Sequence, residues 1–424
     1  MSPFRSISLL GLTSLLAAAL GFLVQVMLAR HLGTTDYGVL AAVMAAINLV
    51  TPVSTFGLGA LLLQVFGEEG WSGSRWVGPL FKLYVGINVA LIVGAIGLWS
   101  WHSGAGHGYA WAALIVLGQS AIELLQARFQ LEERYQRVAL WQALPNIGRV
   151  IVAFICVNLG LAIEPILFGF AVMALAGSVY AFARIVPLAR ARFVLIGHGE
   201  RSKPTNGFRG DVPTAWHVAI RAWPFALSPL FFLVYMQSDV VLIGWLLGSA
   251  DAGIYNVAYG VMLAVYLLPW VVYQKYLMPK NQRWSVHDQA RFLATYRAGN
   301  RYMLVLGVAV MGVVMLLGDR FVVLVFGVEY ARAGSVLTYL ALCVPLRFLA
   351  LSAGSVLVAK EHVGRRVRYE GLAAAVNLGL NLALLPLFGL PGAVVSKLLA
   401  ELLLLMCLLF GAHRYVLSEV TASP

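Results

Sequence analysis

Apolar residues run along this chain in stretches of about twenty, broken by short polar segments. That is the length of helix needed to cross the hydrocarbon core of a bilayer. The runs predict twelve spans, six of them at 7–29, 38–64, 79–101, 109–127, 139–160 and 163–183. A polar stretch at 184–217 follows, and then six more spans at 218–247, 253–274, 301–318, 333–358, 369–388 and 391–412. The segment 321–326 is apolar but too short to cross, so it is either an extension of helix 9 or an interfacial turn.

Composition reinforces the pattern. Hydrophobic residues make up 61% of the 424 and charged residues 11%, against roughly a quarter charged in soluble domains. Lipid is the solvent that tolerates such a chain, and in lipid only helices or closed barrels satisfy their own backbone. Continuous apolar runs, rather than short alternating strands, select helices. The first run, 7–28, follows a single Arg5 and has the length of a full span with no small-residue cleavage site, so it reads as an uncleaved helix. Cys156, Cys343 and Cys407 all lie in apolar runs, which argues against a disulfide framework or zinc site.

The formal charge of +12 could suggest nucleic acid as a partner, but its placement points to membrane orientation. With the N-terminus inside, 24 of the 30 Lys and Arg residues fall in or beside inside loops. They include Arg128, Arg134 and Arg137, the central group from Arg184 to Arg221, and Lys360, Arg365, Arg366 and Arg368. Outside loops hold three, Arg30, Arg320 and Arg332. A missed or invented span would scramble this alternation, so the count of twelve holds and both termini are expected in the cytoplasm.

The two halves resemble each other. Leu32-Gly33-Thr34-Thr35-Asp36-Tyr37-Gly38 joins helices 1 and 2, and Leu247-Gly248-Ser249-Ala250-Asp251-Ala252-Gly253 joins helices 7 and 8, 215 positions later. A second echo relates 133–138 to 361–366, and Pro52 answers Pro269. The pattern predicts an all-α integral membrane protein of two six-helix lobes in a parallel repeat: residues 1–183, a cytoplasmic linker at 184–217, and residues 218–424. In transporters built this way the substrate path lies between the repeats. The motif reads as a structural turn, with Gly33 and Gly248 ending a helix in a left-handed conformation and Asp36 and Asp251 capping the next.

The stretch 29–38 resembles the helix 1–2 hairpin of the bacterial oligosaccharide flippases, the Wzx-like polysaccharide biosynthesis proteins. So do Ser238-Asp239-Val240-Val241-Leu242-Ile243-Gly244 with the hairpin after it, Phe326-Gly327-Val328-Glu329-Tyr330, and Gly389-Leu390-Pro391-Gly392-Ala393. The resemblance covers nearly the whole chain. It implies an inner-membrane protein that carries undecaprenyl-diphosphate-linked oligosaccharide from the cytoplasmic to the periplasmic leaflet by alternating access. The superfamily includes multidrug exporters and the lipid II flippase, whose branch usually carries two further helices that this chain lacks.

For that cargo the obstacle is an anionic headgroup in hydrocarbon, and each ionisable side chain in a span needs a reason. Arg149 lies about 15 Å into helix 5 at 1.5 Å per residue, and Arg347 near the centre of helix 10. Both are candidates for the diphosphate; the alternative is burial against Glu123, Asp239 or a carbonyl. Lys397 joins the substrate-binding candidates, although Glu401, four residues on, offers self-neutralisation on one helix face. Asp239, Glu401 and Glu123 are candidates for ion coupling or charge pairing. Buried Asn and Gln residues commonly hydrogen-bond between helices. Those on helices 1, 2, 7 and 8, which meet at the lobe interface in the family, are the better sugar contacts, Asn48 and Asn256 among them. Pro52, Pro224, Pro229, Pro269 and Pro345 interrupt spans where bends are useful.

Two other function classes remain open. A drug or metabolite exporter of the same fold would favour acidic cavity residues. A membrane sugar ligase or transferase would need a sizeable outer loop or soluble domain with paired acids. No Walker motif, nucleophile–base arrangement or metal-ligand cluster is present in the sequence, so no catalytic residue, metal or cofactor is expected. The expected partners are a lipid-linked oligosaccharide, membrane lipids and polysaccharide polymerase machinery, with no nucleic acid and a monomeric chain.

Overall fold

A computed structural model describes residues 3–101, 108–189, 195, 212–277, 280, 281, 284, 288–359 and 362–417. Most of the predicted linker 184–217 lies outside these residues, as do Arg190, Arg192, Arg201, Lys203, Arg209, Arg283 and Lys360 of the basic set. Among the described residues every regular element is a helix.

The described residues form twelve helical spans, with the broken N-terminal run counted as separate helices and the bent pair as one. One helical run, Pro3–Thr55, is broken at Gly33 (φ 71°, ψ −179°) into α1 (3–32) and α2 (34–55). Helix α2 resumes as Leu58–Glu69 after a break at Phe56 and Gly57, whose φ values are 47° and 66°. Then come α3 (Val77–Trp101), α4 (Gly108–Leu131), α5 (Tyr135–Asn158), α6 (Ile163–Ala189), α7 (Ala215–Leu246) and α8 (Ser249–Val271). Helix α9 (Gln289–Phe326) is followed by α10, built from Ala331–Leu340 and Cys343–Ala359 at an angle of 51°, and by α11 (Val363–Phe388) and α12 (Leu390–Ala412).

Differences from the predicted spans have physical causes. Helix α9 begins twelve residues before its predicted start at 301, because helical hydrogen bonding continues past the apolar run once Asp288 caps it, accepting from the Arg291 N–H at 2.9 Å. The segment 321–326 is the end of this same helix. Pro345 sits in the first turn after the bend in α10, where a missing N–H forfeits no intrahelical bond. Gly33 and Gly248 both carry positive φ, 71° and 111°, which glycine adopts without steric penalty. The aspartates, however, do not cap. Helix resumes directly after each glycine, so Asp36 and Asp251 fall within the first turn. A carboxylate there still favours the helix N-terminus, and Asp251 also pairs with Arg332 at 3.3 Å.

The surface is that of a protein dissolved in lipid. Leu316, Leu324 and Leu387 are 80%, 75% and 74% exposed on the outer faces of their helices. Exposed Trp223 and Trp245, both on α7, lie about 33 Å apart at 1.5 Å per residue. That separation matches the hydrocarbon thickness between the interfaces that tryptophan prefers.

The chain divides into two compact units, Met1–Val24 with Val43–Leu230, and Gln25–Ala42 with Phe231–Pro424. In the first unit, Leu61, Phe66, Tyr84, Leu125 and Phe129 form the core. Polar side chains inside it pair as neutral hydrogen bonds, Thr51 with Gln119 at 2.8 Å, Ser54 with Asn88 at 2.7 Å and Tyr84 with Ser120 at 2.8 Å, and as one buried ion pair, Arg128 with Glu132 at 2.8 Å.

In the second unit the duplicated hairpins pack on each other. A Cβ added to Gly38 would lie 1.7 Å from the Ser249 carbonyl oxygen, and one added to Gly253 would lie 2.3 Å from that of Thr34. Thr34 and Ser249 occupy the same place in the two motif copies, so each copy's final glycine admits the other copy's backbone. Close approach at small residues is how helices associate in lipid. Hydrogen bonds from the Tyr37 hydroxyl to Asn256 Oδ1 (2.6 Å) and from Gln25 Nε2 to the Asn256 carbonyl (3.0 Å) complete the contact. This packing explains why residues 25–42 group with the C-terminal helices.

Candidate functional site

Four helices of the second unit each bring a pair of polar side chains four residues apart to one buried centre. Helix α7 supplies Tyr235 and Asp239, α8 supplies Tyr255 and Tyr259, α11 supplies Asn377 and Asn381, and α12 supplies Lys397 and Glu401. The i, i+4 spacing puts each pair on one helix face, and the second segment of α10 adds Arg347. Asp239, Glu401, Asn377 and Asn381 are completely buried, and Lys397 is 1% exposed.

Asp239 is saturated. Its Oδ1 accepts from the side-chain amides of Asn377 (2.6 Å) and Asn381 (2.8 Å). Its Oδ2 accepts from the Tyr255 hydroxyl at 3.1 Å and faces the Lys397 ammonium at 3.1 Å. Lys397 also donates to the Tyr235 main-chain carbonyl, and its ammonium lies 4.4 Å and 4.9 Å from the ring centres of Tyr235 and Tyr259.

The second ion pair is looser. Arg347 approaches Glu401 only to 3.9 Å, and its guanidinium lies 5.7 Å from the Tyr235 ring centre. Neither carboxylate oxygen of Glu401 accepts a hydrogen bond. Lys397 and Glu401 thus do not neutralise each other along their own helix; each turns to a partner on another. Two acids and two bases make the centre formally neutral, as burial in a low-dielectric interior demands.

The other sequence-predicted residues lie elsewhere. Asn256 is in the second unit, engaged by Tyr37 and Gln25 as described. Asn48, on α2, is half-buried in the first unit. Glu123 lies on an exposed face of α4, with its carboxyl toward Thr55.

Arg149 is half-buried on α5, with its guanidinium 6.0 Å from the Phe170 ring centre and no carboxylate partner among the described residues. Gln142 and Asn146 share its helix face at i−7 and i−3, and Gln142 Nε2 donates to Ser14 on α1 at 2.9 Å. The result is a polar stripe ending in an unpaired cation. The tyrosines of the neutral centre and Gln142 escaped sequence reasoning. Their only signal was a repeat of polar atoms every fourth residue in otherwise apolar helices.

The description of polysaccharide biosynthesis proteins matches residues 4–279. The chain belongs to that family. Over 406 residues it is 24% identical to the probable low-salt glycan biosynthesis flippase Agl15 of Haloferax volcanii, covering 94% of this chain and 81% of the relative. Among solved structures, the lipid II flippase MurJ in an inward closed conformation superposes with a TM-score of 0.70 at 15% identity, covering 97% of this chain and 89% of the other. An inward-facing multidrug resistance MATE family transporter of the MOP superfamily gives 0.70 at 12% identity, with 96% of both chains covered. The fold is therefore the all-α, twelve-helix, two-lobe architecture that these transporters share, and this family member is a multi-pass membrane protein.

Proposed function

We propose that the protein flips an undecaprenyl-diphosphate-linked oligosaccharide from the cytoplasmic to the periplasmic leaflet of a bacterial inner membrane, by alternating access between six-helix halves 1–183 and 218–424. Family membership and the flippase relative support lipid-linked glycan as the cargo. The basic residues of alternate loops support cytoplasmic termini, and the chain acts as a monomer that hands its product to polymerase machinery.

The observation that carries the assignment is Arg149. An arginine inside a span without a carboxylate has an electrostatic use only if an anion comes to it, and a guanidinium matches a diphosphate with paired N–H donors. Gln142, Asn146 and Asn48 supply amides for sugar hydroxyls, as does Asn256 once Tyr37 releases it. Arg347 is a second phosphate contact when its loose pairing to Glu401 opens, while Lys397 and Asp239 act as each other's charge partners. A cation exporter is disfavoured because both buried acids of the second unit already face the chain's own cations.

The test is transfer of a fluorescent undecaprenyl-diphosphate oligosaccharide between leaflets of reconstituted vesicles. Wild-type protein transfers it. Arg149→Ala lowers the rate about tenfold to a hundredfold, the equivalent of one charge-assisted contact of about 1.5–3 kcal/mol. Undiminished transfer by that variant removes the phosphate role.

A further inference from the structure

The pocket around Asp239 has the chemistry of a monovalent cation site. The oxygens that meet the Lys397 ammonium there are hard donors, the Asp239 carboxylate and the Tyr235 main-chain carbonyl. Carboxylate and carbonyl oxygens suit hard, weakly polarising ions. Two tyrosine faces close the remaining sides, and an aromatic face attracts any cation. Both oxygen-bearing residues are buried, Tyr235 at 2% exposed and Asp239 at 0%.

We infer that the chain fills this site with its own ion: the Lys397 ammonium is a tethered cation standing where a free monovalent ion would otherwise bind, and the wild-type protein takes up no sodium there. A primary ammonium and a small metal ion make the same demand, a full positive charge met by oxygen acceptors and ring faces. The tether adds two properties. Its effective concentration in the site is fixed by the side chain rather than by the medium, and it cannot leave, so occupancy does not respond to external sodium. Any coupling through this pocket must then run by moving Lys397 relative to Asp239 and not by loading and releasing a metal ion. The inference concerns binding in the second unit and does not depend on the identity of the cargo.

Thermal unfolding of the purified full chain in detergent tests it, comparing sodium chloride with choline chloride at equal ionic strength. Wild-type protein should unfold at the same temperature in both. Lys397→Ala should lose several degrees in choline chloride and regain them in sodium chloride or in ethylammonium chloride, whose small amine replaces the missing group. Asp239→Asn combined with Lys397→Ala should regain the loss in every salt and respond to none. Sodium-specific stabilisation of the wild type overturns the inference. So does a Lys397→Ala protein that stays destabilised, or fails to fold, whichever cation is supplied while the double variant folds.

Discussion

In the first unit Arg149 stands inside a span with no carboxylate partner among the described residues, near side chains paired as neutral hydrogen bonds, while the buried Arg128–Glu132 ion pair closes the end of α4. The second holds four charges that cancel, buried and cross-linked over five helices. The two arrangements solve different problems. A cluster whose charges cancel can remain in a low-dielectric interior, and its charges hold helices together. A lone half-buried cation is unfavourable as it stands and becomes favourable only when a counter-charge arrives. Reading the deep basic residues together as one positive lining misses this. Among Arg149, Arg347 and Lys397, only Arg149 has no carboxylate partner among the described residues.

The sharpest way to break the comparison is to neutralise one charge on each side. Asp239→Asn leaves the Lys397 ammonium buried without its carboxylate. Stability should fall by about 3–5 kcal/mol, the usual penalty for breaking a buried pair, and unfolding in detergent will read it as a lower midpoint. Asp239→Asn with Lys397→Met, neutral and of similar volume, should recover most of the loss, since apolar replacement of a whole pair is often neutral or better. Arg149→Met has the opposite profile. It removes an uncompensated charge, so the unfolding midpoint should hold or rise while transfer of lipid-linked oligosaccharide falls by the tenfold to hundredfold given above. If Arg149→Met destabilised the protein as much as Asp239→Asn, an unseen anion would have to balance it within the fold.

The extent to which the sequence disclosed this contrast follows from what each feature depends on. The twelve spans and both glycine turns are set by local chemistry, apolar length and φ freedom, and the structure has them where the runs and motif copies lie. Helix α9 overran its span because Gln289 to Asn300 is polar helix beyond the apolar run, which hydropathy cannot see. Charge partners were the least legible. Spacing along α12 suggested that Lys397 and Glu401 neutralise each other, yet their closest opposite charges are Asp239 and Arg347, 158 and 54 positions away. Pairing across helices is a property of the bundle, and no periodicity in one strand of sequence encodes it. Likewise the hairpin aspartates looked like caps until the helix proved to start one residue after the glycine.

A smaller effect is expected where the hairpins meet, which tests whether the second unit's order extends from charge to packing. Gly253→Val puts a branched side chain where even a Cβ would approach the Thr34 carbonyl to 2.3 Å. Overpacking of this kind typically costs about 1–3 kcal/mol. The backbone should separate, breaking the Tyr37–Asn256 hydrogen bond as well, and cysteines placed at 35 and 250 should cross-link less efficiently than in the parent. Gly38→Val should act alike through Ser249, because the two copies meet reciprocally. Unequal responses would mean that one hairpin moves and the other is fixed.

The least effect belongs to Glu401→Gln, and it decides whether the neutral centre is one unit or two unequal pairs. Asp239 accepts three hydrogen bonds besides its ion pair, whereas Glu401 accepts none and meets Arg347 only at 3.9 Å. Neutralising it therefore removes a weak Coulombic contact and leaves every hydrogen bond around Asp239 in place. Arg347, with 11% of its side chain exposed and the Tyr235 ring beneath it, keeps partial compensation. The loss should be about 1–2 kcal/mol, short of the 3–5 kcal/mol of a closed buried pair. Asp239→Asn added to Glu401→Gln should then cost close to the sum of the two, within about 0.5 kcal/mol, as independent sites do. A large departure from additivity would show that Arg347 and Lys397 exchange acids, so that the loose pair and the saturated pair are two states of one charge network.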